Sequence, residues 1–286
     1  MKFCFTLFIS LGHFAYGQFD TSGPVNKLVI NTVIEIQKGN ETGSGLLVAI
    51  GNKRFLVTNK HMVGSWSPVD SLVYSNIISI YPYSSVKKQP SYLKLNIKIA
   101  NIGKPILNKI KVHPNQKIDI AVIDITNDIS NFPVENTGFI DTSYFLTLEK
   151  AKSFLTYGSQ VFTIGYPAGI KSFKTNEPLV KSGYLASSLD GNLVMEQNWI
   201  NRQGMTIKTL IEGKIFIVDG LIIPGNSGGP VMISQEVVWF TINGKLQHLQ
   251  DLKNYFIGIV SNIYTNTGLA TIFSSDNILE VIREFR

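Results

Sequence analysis

What most limits the fold of this chain is the brevity of its apolar runs. Stretches rich in Val, Ile, Leu, Phe and Tyr recur near 28–37, 44–50, 53–58, 76–81, 92–100 and 119–125, parted by Gly, Asn, Pro and Ser clusters. After a break at 126–158 they resume near 159–164, 178–188, 192–197, 206–210, 214–218, 230–233, 236–242, 255–263 and 269–273. Short runs of β-branched and aromatic residues bounded by turn formers make strands. A dense succession of them points to an all-β sandwich or barrel. The 286 residues, 44% of them hydrophobic, suffice for one large domain or for two barrels sharing one domain.

Two stretches depart from this pattern. Residues 143–153 predict a short helix between the halves. Near the end, Ser274 or Ser275 can cap a helix through Asp276–Arg283, with Ile278, Leu279 and Ile282 in one apolar stripe and Val281 beside it. That stripe predicts a helix packed on the second barrel.

Residues 1–17 read as a secretory signal peptide. Lys2 supplies the positive start, Phe3 to Leu11 the apolar stretch, and Ala15-Tyr16-Gly17 a small-x-small cleavage site before Gln18. The expected product is residues 18–286, secreted or periplasmic, with no stable membrane insertion once the signal is removed. Cys4, the one cysteine, lies inside the leader, so the mature chain is expected to carry no disulfide. The net charge of +6 comes from dispersed lysines, which reads as a solvated surface and not as a nucleic-acid site.

The chemistry concentrates in Pro224-Gly225-Asn226-Ser227-Gly228-Gly229-Pro230. Glycines around a serine permit a turn tight enough to expose the hydroxyl and to aim neighbouring N–H groups at one point. Acyl transfer needs both a nucleophile and donors for the oxyanion it creates. A serine also needs a base, and the base an orienting acid. Of the four histidines, His13 falls in the leader, His113 precedes Pro114 in a loop and His248 lies in a polar stretch. His61 ends the apolar run Phe55–Val63 at a polar corner, and Asp119 opens the run Ile118–Ile123. Asp124 competes with Asp119; five residues apart on an ideal strand, they face opposite sides.

The segments VTNKH, DIAVI and GNSGGP resemble, in order and spacing, the three catalytic segments of chymotrypsin-like (trypsin-fold) serine peptidases. His113-Pro114, Gly43–Val48, Thr163–Pro167 and Phe256–Ser261 are similar to further segments of that family's bacterial branch, which includes glutamyl endopeptidases and HtrA-type protease domains. The resemblance spans roughly residues 28–285. It implies two six-stranded antiparallel barrels, at about 25–140 and 155–273, and a C-terminal helix at about 275–285. It selects Asp119 over Asp124 and implies a triad of His61, Asp119 and Ser227, with the backbone N–H groups of Gly225 and Ser227 as the oxyanion hole. The implied activity is endopeptidase cleavage of protein or peptide substrates through an acyl-enzyme. Asn226 stands where digestive relatives carry an aspartate that pairs with a new N-terminus, which argues against that activation switch.

By the same resemblance Leu221 lies at the base of the pocket for the P1 side chain, and Ser261, Asn262 and Ile263 line it and pair with substrate as an added strand. A small or apolar P1 is expected. There is no HExxH, no cysteine pair, no phosphate loop and no dinucleotide fingerprint, so neither a metal nor a cofactor is expected. The contrasting reading is an inert binding protein on the same scaffold. Oligomeric state has no signature in the sequence.

Overall fold

The structure is a computed structural model that describes residues 25–65, 72–82, 94–131, 138–153, 155–171, 176–190, 193–200, 205–233, 239–242, 245–248, 254–264 and 267–285. The leader expected over residues 1–17 lies outside them.

The first half is built on an eight-stranded sheet. Its strands run Ile110–Val112, Ala121–Asp124, Lys53–Thr58, Glu41–Ile50, Val33–Lys38, Ile77–Tyr81 and Leu95–Lys98, all antiparallel to their neighbours, and Ile140–Asp141 adds to Glu41–Ile50 in parallel. Successive side chains on a strand point to opposite faces. Ile34, Ile36, Leu47, Leu56, Ala121 and Ile123 therefore enter one core, while Val33, Leu46, Val48, Phe55, Val57 and Val122 face the other half of the molecule. Burial on both faces is why these strands read as almost unbroken apolar runs.

The second half is a closed barrel of six strands, Gln160–Gly165, Leu179–Leu185, Ile215–Asp219, Leu269–Ser274, Phe256–Ile263 and Pro230–Ile233, the last pairing back to the first. Its interior is lined by Val161, Leu185, Phe216, Val231, Ile257 and Ile272. A separate hairpin, Leu193–Ile200 with Thr206–Gly213, extends from it.

The architecture is thus all-β in two halves, a trypsin-like double barrel, with one departure from the expected pair of six-stranded barrels. Among the described residues the first sheet stays open, as a half-barrel. Its edge strands Leu95–Lys98 and Ile110–Val112 do not meet, because the chain between them forms its own ladder of Ala100–Asn101 with Lys104–Pro105. Two local expectations also change. The run near 28–37 opens as a helical turn, Lys27–Ile30, before the strand begins at Val33. The helix expected over 143–153 is a 3-10 turn, Thr142–Tyr144, and a short helix, Leu148–Ala151. Between them Leu146 N donates to the Phe256 carbonyl at 2.9 Å, so the second barrel claims that stretch.

The C-terminal helix Ser275–Arg283 buries Ile278, Val281 and Ile282, one face of a 3.6-residue period. Its partners differ from the expectation of the second barrel alone: it packs on Phe256–Ile263 and Leu269–Ser274 and also on Ile110–Val112 and Ala121–Asp124 of the first half. The cluster it joins runs from Val33 and Leu46 through Phe162 and Phe256. The helix is a cover over the seam. Ile278 is wholly buried, so Ile278→Ala should destabilise the protein by about 2–5 kcal/mol, measured as a shift in the midpoint of denaturant unfolding at unchanged slope.

Candidate functional site

His61 lies on a 3-10 turn, Lys60–Met62, which follows directly on strand Lys53–Thr58. Its ring is 35% exposed, whereas the Asp119 side chain is 2% exposed. Their side chains meet at 2.7 Å, His61 Nδ1 to Asp119 Oδ2. Asp119 Oδ1 also accepts from the His61 backbone N at 3.2 Å, and Ser261 Oγ donates to Oδ2 at 3.0 Å. With Nδ1 donating to the carboxylate, Nε2 is the nitrogen left to accept a proton.

Burial pulls the His61 pKa down, but the Asp119 charge and hydrogen bond outweigh it and raise the value above its ordinary 6.5. Burial pushes Asp119 up, and it is overcome by the His61 charge, the two His61 hydrogen bonds and Ser261, leaving the carboxyl below its ordinary 3.8. Lys38 anchors the turn from outside, donating to the carbonyls of His61 at 2.5 Å and Gly64 at 3.1 Å.

Only Ile120 separates Asp119 from strand Ala121–Asp124, and two buried side chains hold its loop. Asn59 Nδ2 donates to the Asp119 carbonyl at 2.8 Å, and Lys60 Nζ donates to the carbonyls of Asn115 at 2.9 Å and Gln116 at 3.4 Å. Lys60 is only 2% exposed, and that burial, partly offset by Asp119, lowers its pKa to about 8. Asp124 turns instead to its own backbone, accepting from Thr126 N at 2.9 Å.

Ser227 occupies the turn between Pro224 and Pro230. Its Oγ donates to the Ser261 carbonyl at 3.3 Å. Ser261 thus touches both Asp119 and Ser227, and through it the two halves of the site are joined. Among the described residues the N–H groups of Gly225 and Ser227 donate to no protein acceptor. Two glycines make the turn possible. A Cβ on Gly225, at φ +99°, would lie 2.3 Å from the Tyr166 carbonyl oxygen, and one on Gly228, at φ +80°, would lie 2.1 Å from the Ser44 carbonyl oxygen.

Ser44 received no role from the sequence beyond its place in a familiar segment. It is fully buried and every polar atom is used. Its N donates to the Ser227 carbonyl at 2.7 Å, its Oγ donates to the Gly225 carbonyl at 2.7 Å and accepts from Tyr166 N at 3.0 Å, and its carbonyl accepts from Thr58 Oγ1 at 2.9 Å. The signal was the Gly43-Ser44-Gly45 run, whose flanking glycines leave room for Met62 at Gly43 and for Leu56 and Ile36 at Gly45.

The remaining expected positions spread out. Asn262 and Ile263 are half-buried at the end of strand Phe256–Ile263, where pairing with Leu269–Ser274 slips between Val260 and Ile263. Leu221 is 74% exposed, and its carbonyl accepts from Lys181 Nζ at 2.6 Å. His113 is buried, accepts from Asn115 N at 3.1 Å and reaches Glu280 of the C-terminal helix at 3.1 Å. His248 ends a short strand whose side chains lie outside the description. Among the described residues no cluster of His, Cys, Asp or Glu could hold a metal ion, and no helix is long and apolar enough to cross a membrane.

The family model described as a trypsin-like peptidase domain matches residues 43–238. Among solved structures, the active form of the Rv3671c protease from M. tuberculosis aligns with TM-score 0.50 at 12% identity, covering 90% of this chain and 82% of that one. The HtrA-type protease AlgWS227A with tripeptide aligns with TM-score 0.48 at 15% identity, covering 91% of this chain and 63% of that one. At 12% identity the likeness to the Rv3671c protease concerns the fold alone. No curated protein sequence matches the chain.

The opposed shifts of His61 and Asp119 have a measurable consequence. The raised His61 value stabilises the fold fully below about pH 6.5 and is lost as pH climbs through that raised value; the Asp119 contribution is present above about pH 3.8 and is lost as pH falls through its depressed value. By NMR, the His61 imidazole should titrate above 6.5 in the wild type and at a distinctly lower pH in Asp119→Asn, where the charge and hydrogen bond that outweigh burial are gone.

Proposed function

The chain belongs to the trypsin-like peptidase family, and from that premise we propose that it is a secreted serine endopeptidase acting through His61, Asp119 and Ser227. The observation that carries this reading is the continuous contact from His61 through Asp119 and Ser261 to the Ser227 hydroxyl, beside two backbone N–H groups that meet no acceptor among the described residues.

In the proposed reaction Ser227 Oγ leaves the Ser261 carbonyl and attacks the scissile carbonyl carbon. His61 Nε2 takes the serine proton as the new C–O bond forms. The N–H groups of Gly225 and Ser227 receive the oxyanion of the tetrahedral intermediate. The protonated His61 then gives its proton to the leaving amine as the C–N bond breaks, which leaves an acyl-enzyme. Water, deprotonated by His61, attacks the acyl carbon, and as the ester C–O bond breaks His61 returns the proton to Ser227 Oγ and the acyl group leaves as a carboxylic acid. Asp119 holds the ring with Nε2 outward and stabilises its cation; it stays ionised throughout. Losing one oxyanion donor typically costs a factor of about 100–1,000 in rate.

Because the base must be neutral to start, activity should rise with pH through the raised His61 value. Secretion rests on the charged start, apolar stretch and small-x-small site of residues 1–17. The exposed aliphatic Leu221 near the turn favours a small or apolar P1 residue; strong preference for Arg, Lys or Glu across a peptide panel would sink that assignment.

Treating residues 18–286 with a fluorophosphonate and mapping the adduct by mass spectrometry tests the machinery. Labelling should fall on Ser227, vanish in Ser227→Ala and largely vanish in His61→Ala. The corresponding loss in kcat should be on the order of 10⁶. Folded protein that takes no label would favour an inert binding role on the same scaffold.

A further inference from the structure

We propose that Glu35 is a positioning residue for the oxyanion-binding turn, acting through its buried ion pair with Lys171; this rests on the peptidase reading above. Glu35 belongs to strand Val33–Lys38 of the first half and is 1% exposed. A buried carboxylate is costly unless paired. Its Oε2 is paired with Lys171 Nζ, and its Oε1 accepts from Gln37 Nε2 at 3.1 Å. Gln37 accepts in turn from the Tyr81 hydroxyl at 3.0 Å, and the Lys171 ammonium sits 5.5 Å from the Tyr81 ring centroid.

Lys171 lies in a stretch of the second half that begins at Tyr166, and Asn176 follows beyond it. Tyr166 is fully buried, and its hydroxyl reaches the carbonyls of Asn176 at 2.8 Å and Val33 at 3.3 Å. Asn176 Nδ2 donates to the Tyr81 carbonyl at 2.8 Å. The first half therefore holds this segment at Tyr166, Lys171 and Asn176.

The same segment is the bed of the oxyanion turn. Ala168 N donates to the Pro224 carbonyl at 2.6 Å, and the space where a Gly225 Cβ would sit is filled by the Tyr166 carbonyl oxygen and Ala168 N. A peptide unit is planar and trans, so its carbonyl and its N–H point in opposite directions. Fixing the Pro224 carbonyl on Ala168 thus aims the Gly225 N–H the other way, toward the site. Ala168 itself sits at φ +50°, a left-handed conformation that a non-glycine residue keeps when its surroundings impose it. The Glu35–Lys171 pair is one of those surroundings. Without it, the Pro224–Gly225 peptide can turn over and withdraw one oxyanion donor, with no change at His61, Asp119 or Ser227.

The test compares wild type with Glu35→Gln, which keeps shape but not charge, with Lys171→Met, and with the double variant. Readouts are kcat and KM on a peptide substrate, affinity for a peptide boronic acid that mimics the tetrahedral oxyanion, and thermal melting. Each single variant should lose kcat by about tenfold or more, a part of the full loss of one donor. KM should change little, boronate affinity should fall alongside kcat, and the double variant should be no worse than the singles. Folded single variants with kcat and boronate affinity close to wild type would overturn the inference, even with a lowered melting temperature, since that pattern is merely structural. If Glu35→Gln fails to fold, Lys171→Met on the more exposed partner decides. A wild type that neither hydrolyses peptides nor takes the fluorophosphonate overturns the peptidase reading and this role with it; an active wild type with unimpaired variants overturns this role alone.

Discussion

Ser44 is the point on which the candidate site hangs. One small side chain and its own peptide groups make four hydrogen bonds, to Thr58 within its sheet and to Tyr166, Gly225 and Ser227 across the seam. Hydrogen bonds between neutral groups contribute only about 1 kcal/mol each, but here their directions matter more than their sum. Two of them grip the carbonyls on either side of Asn226, so the backbone of the turn has little freedom to rotate. A larger residue at 44 would crowd Gly165 and Gly229, against which the Ser44 side chain lies, and the missing side chain of Gly228 is what lets the Ser44 carbonyl come so near.

The site is divided between halves that are each packed about their own core, with a third apolar cluster between them. His61 and Asp119 come from the first half and Ser227 from the second, with Ser261 of the second half donating to Asp119. The relative placement of the three candidate residues therefore depends on the seam, not on any one loop. Ser44, Glu35 and Asp119 all find buried partners along that seam, as low-dielectric surroundings demand, while the Oδ1 atoms of Asn59 and Asn176 are buried without one among the described residues. Lys60, Glu35 and Asp119 are all charged residues with almost no exposure, and each meets partners supplied by another element.

Much of this was legible in the residues. The strand pattern, the second barrel, the C-terminal helix and the grouping of His61 with Asp119 follow from apolar runs, turn residues and a family-like order of short segments. The open first sheet was not legible, because two-residue ladders such as Ala100–Asn101 with Lys104–Pro105 leave no periodic trace. Nor was the split helix over 143–153: its residues suit a helix locally, but the second barrel takes the Leu146 amide. Ser44, Lys60 and Glu35 were opaque for another reason. Each acts through carbonyls or charges supplied from distant positions, and such partners are set by topology. Ser261 was read as part of a substrate pocket, while its hydroxyl contact with Asp119 became visible only once strands 142 residues apart met.

The cover helix Ser275–Arg283 also orders events in time. It packs on strands from each half, so its docking surface exists only once both halves have folded. Its Glu280 reaches back to His113, in the loop that leads to Asp119, and to Lys214, where the strand Ile215–Asp219 begins. The seam that aligns the two halves is thus clasped by an element whose own seat exists only when both halves are in place, so the two halves and their cover are coupled in a single cooperative unit.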